Sequence, residues 1–121
     1  IRYWRAGLFI NKNIKKGWMP PHPTVFVKKK IFEKVGNYNT DYKISSDYDF
    51  LIRVLTNKEI KKNYINQTLM KMRIGGKSNK SILNLFKKTF EDYRIIKKNK
   101  IGGFLTLLTK NYSKIRQFYQ K

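Results

Sequence analysis

The chain has 121 residues, 40% of them hydrophobic and 15% aromatic, which is one domain's length and too apolar for a disordered chain. It has no cysteine, so disulfides and thiolate metal sites are excluded, and its single histidine, His22, excludes a histidine-based zinc cluster. With 28 Lys+Arg against 7 Asp+Glu, the net charge of +21 implies an anionic partner: nucleic acid, an acidic lipid surface or a phosphate-bearing substrate.

Part of that charge is compositional, since Lys, Asn and Ile recur throughout. The longest apolar piece, IGGFLTLLT, is about half of the ~20 residues needed to span a bilayer. The opening IRYWRAGLFINKNIKK lacks the apolar core and small-residue cleavage site of a secretory leader, and a chain starting at Ile1 reads as a fragment.

Residues 1–21 read as an irregular lead-in ending in GWMPPHP, where three prolines in four positions exclude a helix. TVFV, residues 24–27, has the composition of a short strand. KKKIFEKVG predicts a short helix with Ile31, Phe32 and Val35 on one face and Gly36 as its stop. NYNTDYK is turn chemistry.

A second helix starts within DYKISSDYDFLIR, where Tyr48, Leu51, Ile52 and Leu55 recur at helical spacing. EIKKNYI and TLMKMRI suggest two strands around a turn near Asn66, and GGKSN a loop in which Ser78 or Asn79 caps the next helix. From Ser81 to Lys98 the residues Ile82, Leu85, Phe86, Phe90, Tyr93 and Ile96 mark a long amphipathic helix. Gly102 and Gly103 break it, and short helices at 104–108 and 113–119 end the chain. A shift near Gly75–Gly76 divides a mixed part, 1–76, from a basic helical tail, 77–121, with 12 Lys+Arg and 2 acids.

Three of the seven acids, Asp41, Asp47 and Asp49, lie within thirteen residues. Ser46-x-x-Asp49 has capping-box spacing, and Asp49 can pair with Arg53 one turn on. Two residues along a helix are a rotation of about 200°, so Asp47 and Asp49 point apart and do not readily share a metal ion. With Asp49 turned toward Arg53, Asp47 faces the space before the helix. A carboxylate there can take a proton from a bound hydroxyl, as a general base by position.

GWMPPHPTVFVKKKIFEKVGNYNTDYKISSDYDFLIRVL resembles the second half of bacterial family 2 glycosyltransferases of the polysaccharide and O-antigen type. In these a proline-flanked HPT strand leads to a G-x-Y/F-(D/N) turn and an (A/S)-(A/S)-D-Y-(D/E) helix. LMKMRIGGKSN, EDYRIIKKN and KIRQFYQK extend the resemblance over nearly the whole chain. It implies an α/β fold: the C-terminal half of a GT-A nucleotide-sugar transferase sandwich, followed by the basic tail.

The resemblance also implies an inverting sugar transfer from a nucleotide-sugar donor to a glycan or lipid-linked acceptor in cell-surface polysaccharide synthesis. Asp47 takes the place of the catalytic base, with Asp49 supporting through Arg53. His22 stands where the chain enters the cleft, as a donor to acceptor or diphosphate or as a surface histidine. Arg73, the Gly75 and Gly76 backbone and Ser78 fall where relatives close a loop over the diphosphate, with a plain turn as the alternative. Trp18 walls the acceptor site or packs in the core.

The D-x-D motif of the family's donor half, which carries Mg²⁺ or Mn²⁺, and the first βαβ unit are not among these residues. A missing N-terminal half is therefore expected to supply them, and the chain alone to be inactive. The tail's apolar and basic faces suit either that missing half or an anionic membrane surface, on the cytoplasmic side. Nucleic-acid binding, or a non-catalytic interaction role, is the competing function, but no nucleic-acid-binding signature accompanies the dispersed charge.

Overall fold

A computed structural model describes residues 4, 6–71 and 81–116. The elements are α1 (Asn11–Ile14), a one-turn 3₁₀ helix (His22–Thr24), α2 (Lys29–Val35), α3 (Ser46–Thr56), α4 (Ile82–Lys98) and α5 (Phe104–Arg116). Helix α3 is central: α1, the 3₁₀ turn, α2 and α4 all pack on it, and α5 packs on α4. Seven of its eleven residues are buried, as expected of a helix surrounded by others. Phe50, Leu51 and Ile52 form the centre of a core that Ile14, Ile95, Ile96 and Leu107 complete. Residues from both sides of position 76 thus enter the same core.

The expected α/β sandwich is not what forms. Among the described residues there is no strand and no sheet; the architecture is helical. Residues 24–27 show why. Val25 is extended, and Val25 and Val27 lie against the core while Phe26 is 77% exposed, so the alternation in TVFV is real. Among the described residues, no neighbouring segment offers the hydrogen-bond ladder that would turn an extended run into a strand. Thr24 instead bonds back to Pro21 O through both its amide and its hydroxyl, closing the 3₁₀ turn despite the prolines. Residues 59–65 are likewise irregular, tied to Asn57 through Glu59 N and the Lys62 ammonium. The second expected strand runs irregularly to Lys71, and its remainder lies outside the described residues.

Other boundaries move for local reasons. Ser81, not Ser78 or Asn79, caps α4, its hydroxyl accepting from Leu83 N at 3.2 Å. The two short C-terminal helices are one continuous α5 as far as Arg116, and residues 117–119 lie outside the described residues. Helix α2 ends at Gly36 as expected, with a φ of 81° that favours glycine. The carbonyls left over there are taken by Arg53 from α3, which donates to Val35 O, Gly36 O and Asn37 O.

The run into α3 is held by α4. Glu91 accepts three consecutive backbone N–H groups, from Lys43 at 2.9 Å, Ile44 at 2.9 Å and Ser45 at 2.8 Å. Charge-assisted bonds of this kind exceed neutral ones, and here they fix the angle at which the chain enters its central helix. Among the described residues, no helix is long and apolar enough to cross a membrane.

Glu91→Ala should lower the unfolding free energy by about 2–3 kcal/mol in urea denaturation, because three amides lose an ionised acceptor. Glu33→Ala, at an exposed position of α2, should stay within about 0.5 kcal/mol.

Candidate functional site

The acidic turn forms the first turn of α3. Ser45, not Ser46, is its N-cap, and the Ser45 hydroxyl makes no capping bond. The capping-box arrangement therefore does not form: the Asp49 N–H donates to Ser45 O at 3.1 Å, and the Asp49 carboxylate turns away toward Arg53. Asp49, 1% exposed, directs Oδ2 to Arg53 Nε at 2.9 Å, and Glu91 already grips the amides before the helix. Asp49, Arg53 and the end of α2 thereby make one connected unit, as the spacing of the two residues anticipates.

Asp47 points elsewhere. It is half-buried, and its Oδ1 accepts the Tyr48 N–H at 2.7 Å, within the electropositive first turn. It lies close enough to Lys110 of α5 to favour that residue's ammonium form. The two aspartates, separated only by Tyr48, thus serve opposite sides of α3: one faces α2, the other α5. Asp41 is exposed on the preceding turn, where its backbone N–H donates to Asn39 Oδ1 at 3.0 Å.

His22 sits on the 3₁₀ turn that packs against α3, with Nε2 2.9 Å from the Tyr38 hydroxyl. The Tyr38 ring lies 4.6 Å from that of Phe50, which itself stacks on Phe32 at 4.8 Å. This aromatic group places His22 near α3, though no hydrogen bond joins it to Asp47. Trp18 is partly buried against the core; its Nε1 donates to Ala6 O at 2.8 Å and its ring tilts on Phe9 at 5.9 Å. Arg73, Gly75, Gly76 and Ser78 lie outside the described residues. Among the described residues no three His, Asp or Glu side chains gather into a metal site.

Beside Asp47 lies a charged centre that sequence reasoning missed. Asp92 of α4 is 1% exposed, and its Oδ2 receives both Lys88 Nζ and Lys110 Nζ at 2.6 Å. The Lys110 ammonium also stands 3.3 Å from the centroid of the Tyr48 ring, a close cation–π contact. Burial alone would raise the Asp92 carboxyl, but the charges of Lys110 and Lys88 hold it below the usual carboxylate range. Burial pushes Lys110 down to about 7, against the pull of Asp92. Burial, and then the Asp92 charge, push the Tyr48 phenol up. The only hint in the sequence was the i, i+4 spacing of Lys88 and Asp92; Lys110 is eighteen residues from Asp92, and nothing local links them.

Compared with known proteins, the chain matches no family model, no curated protein and no solved structure.

The depressed Lys110 gives a signed pH dependence. Between about pH 7 and its ordinary range near 10.5, the unfolded chain holds a proton that the folded chain has released, so this group makes stability rise with pH. Lys110→Met should flatten the rise in unfolding free energy between about pH 7 and about pH 9.5, measured by denaturant titration at each pH. Above that window the raised Tyr48 acts with the opposite sign.

Proposed function

We propose that the chain is the acceptor-side part of an inverting glycosyltransferase. It would act on the cytoplasmic side of the membrane in cell-surface polysaccharide synthesis, passing a sugar from a nucleotide-sugar donor to a hydroxyl of a glycan or lipid-linked acceptor. The reading rests on the chemistry of the α3 entrance and on the motif resemblance, not on fold. The observation that carries it is the divergence of the two aspartates. Asp49 is committed to Arg53 and the end of α2, whereas Asp47 stays half-buried at the mouth of the helix.

In this reading the acceptor hydroxyl gives its proton to the Asp47 carboxylate as its oxygen attacks the anomeric carbon. The bond to the nucleoside diphosphate breaks on the opposite face, which inverts configuration. The Asp49–Arg53 unit positions the turn. His22 donates a hydrogen bond to acceptor or diphosphate, and Trp18 bounds the acceptor. Arg73, the Gly75 and Gly76 amides and Ser78 offset phosphate charge. A divalent cation, Mg²⁺ or Mn²⁺, would neutralise the donor diphosphate when bound, on ligands supplied by a donor-binding half outside these residues.

The test uses the complete protein with a panel of nucleotide sugars and isolated lipid-linked acceptors, reading nucleoside diphosphate release. Asp47→Asn should lower kcat by about 10²–10⁴-fold with donor binding and unfolding midpoint unchanged. Near-normal turnover would remove Asp47 as the base, and no transfer by the wild-type protein with any donor would remove the reading itself. Asp49→Asn should instead cost about 3 kcal/mol of stability, by loss of the charge facing Arg53, while kcat stays within a few-fold below the unfolding transition.

A further inference from the structure

Helix α5 is amphipathic the wrong way round for a helix on a protein surface. Phe104, Leu105, Leu108, Tyr112 and Ile115 are 48–74% exposed. At about 100° per residue all five fall within an arc of about 100°, a continuous apolar stripe turned outward. The face turned inward carries Leu107 together with the polar Thr106 and Lys110. On the adjoining α4, Ile82, Leu83, Phe86 and Phe90 are 64–75% exposed and share a similar arc, while Asp92, Ile95 and Ile96 are buried.

This orientation is enforced. The Thr106 hydroxyl donates to Lys15 O at 2.7 Å, and Lys110 bonds Asp92. Gly17 lies so close to α5 that a Cβ there would stand 2.5 Å from Lys110 Cβ, and one at Gly102 would stand 2.0 Å from Thr106 Oγ1. Rotating α5 to bury its stripe would break all of these contacts.

The charge around the stripes identifies what covers them. Residues 82–116 hold nine Lys+Arg and two acids. Both acids are engaged inward, Glu91 on the backbone of residues 43–45 and Asp92 between two lysines. Lys87, Arg94, Lys97 and Lys98 are exposed on α4. The outer surface of the two helices thus offers apolar side chains and cations without an outward carboxylate. Such a surface complements the boundary between anionic headgroups and acyl chains. A second copy would bring another +21 against it. A nucleic acid would use the cations but leave Ile82, Leu83, Leu105, Leu108 and Ile115 in water.

We propose that the outward faces of α4 and α5 dock this protein onto an anionic bilayer, lying on the surface with their apolar rows at acyl-chain level. The inference does not depend on the sugar-transfer reading.

Because the chain has no cysteine, one introduced thiol reports a single position. The full chain carrying Leu108→Cys or Ser113→Cys, each labelled with an environment-sensitive nitrobenzoxadiazole dye, is titrated with phosphatidylcholine vesicles and with phosphatidylcholine–phosphatidylglycerol vesicles. Ser113 is exposed on another face of α5. Expected are binding to the anionic vesicles only, weakened by salt, and a blue shift at position 108 but not at 113. A Leu105→Asn/Ile115→Asn double variant should lose at least tenfold in vesicle affinity with its helical circular dichroism unchanged.

Binding without a blue shift at 108, or binding unaffected by the double variant, would mean adhesion by charge alone and would overturn the proposal. An absence of vesicle binding would also overturn it, and tight association with poly(U) RNA, or a light-scattering dimer that the double variant dissociates, would then show what covers these faces instead.

Discussion

Asp92 lies in the interior of a strongly basic protein with an ammonium group on either side, Lys88 from its own helix and Lys110 from the next. Taking these charges out of water costs several kcal/mol per ion, and their attraction returns it only if the geometry is good. The pair is therefore weak evidence of stability and stronger evidence of specification. It sets which face of α5 meets α4. It brings Lys110 over Tyr48, so α3 is held from the same point, and it helps turn the apolar stripes of the two C-terminal helices outward. Glu91, one residue earlier, grips the amides that lead into α3. Two adjacent carboxylates of seven in the chain thus connect three helices.

The candidate site inherits its geometry from these contacts. Asp47 and Asp49 diverge because α3 is regular through both, and each side of α3 has a different neighbour. On the α2 side, Arg53 gathers three carbonyls at a helix end and binds Asp49. On the α5 side, Lys110 approaches Asp47 while remaining committed to Asp92. A carboxylate between a helix N-terminus and a shared ammonium differs from one buried against a single arginine N–H, and that difference underlies the separate roles proposed for the two residues. The aromatic group of Phe32, Tyr38 and Phe50 gives the same end of the molecule a firm wall on which His22 rests.

The absence of a sheet among the described residues separates what the motifs imply about chemistry from what they imply about fold. An HPT segment, a glycine-stopped helix and an S-S-D-Y-D turn can all be arranged by helices alone, because what each requires is local: a proline-set turn, a positive φ, a helix N-terminus. The strand expected at 24–27 requires something more distant, a second backbone to pair with, and the chain places those residues along the helical core instead.

What this sequence determined by itself is what depends on residues within a turn or two of each other. The extent of α2 and its stop at Gly36, the start of α3 near Asp47, the Asp49–Arg53 pair, the turn at 37–43 and the existence of α4 all follow from periodicity and short-range bonding. Tertiary structure decided the rest. Whether TVFV pairs into a sheet, whether α4 buries its Ile82–Phe86–Phe90 stripe or its Asp92–Ile95–Ile96 face, and whether α5 is one helix turned outward depend on which distant groups meet. Those meetings hinge on Lys110 reaching Asp92 and Glu91 reaching residues 43–45, contacts between residues 18 to 48 positions apart. A hydrophobic period reports that a helix has an apolar side, but not whether that side faces the core.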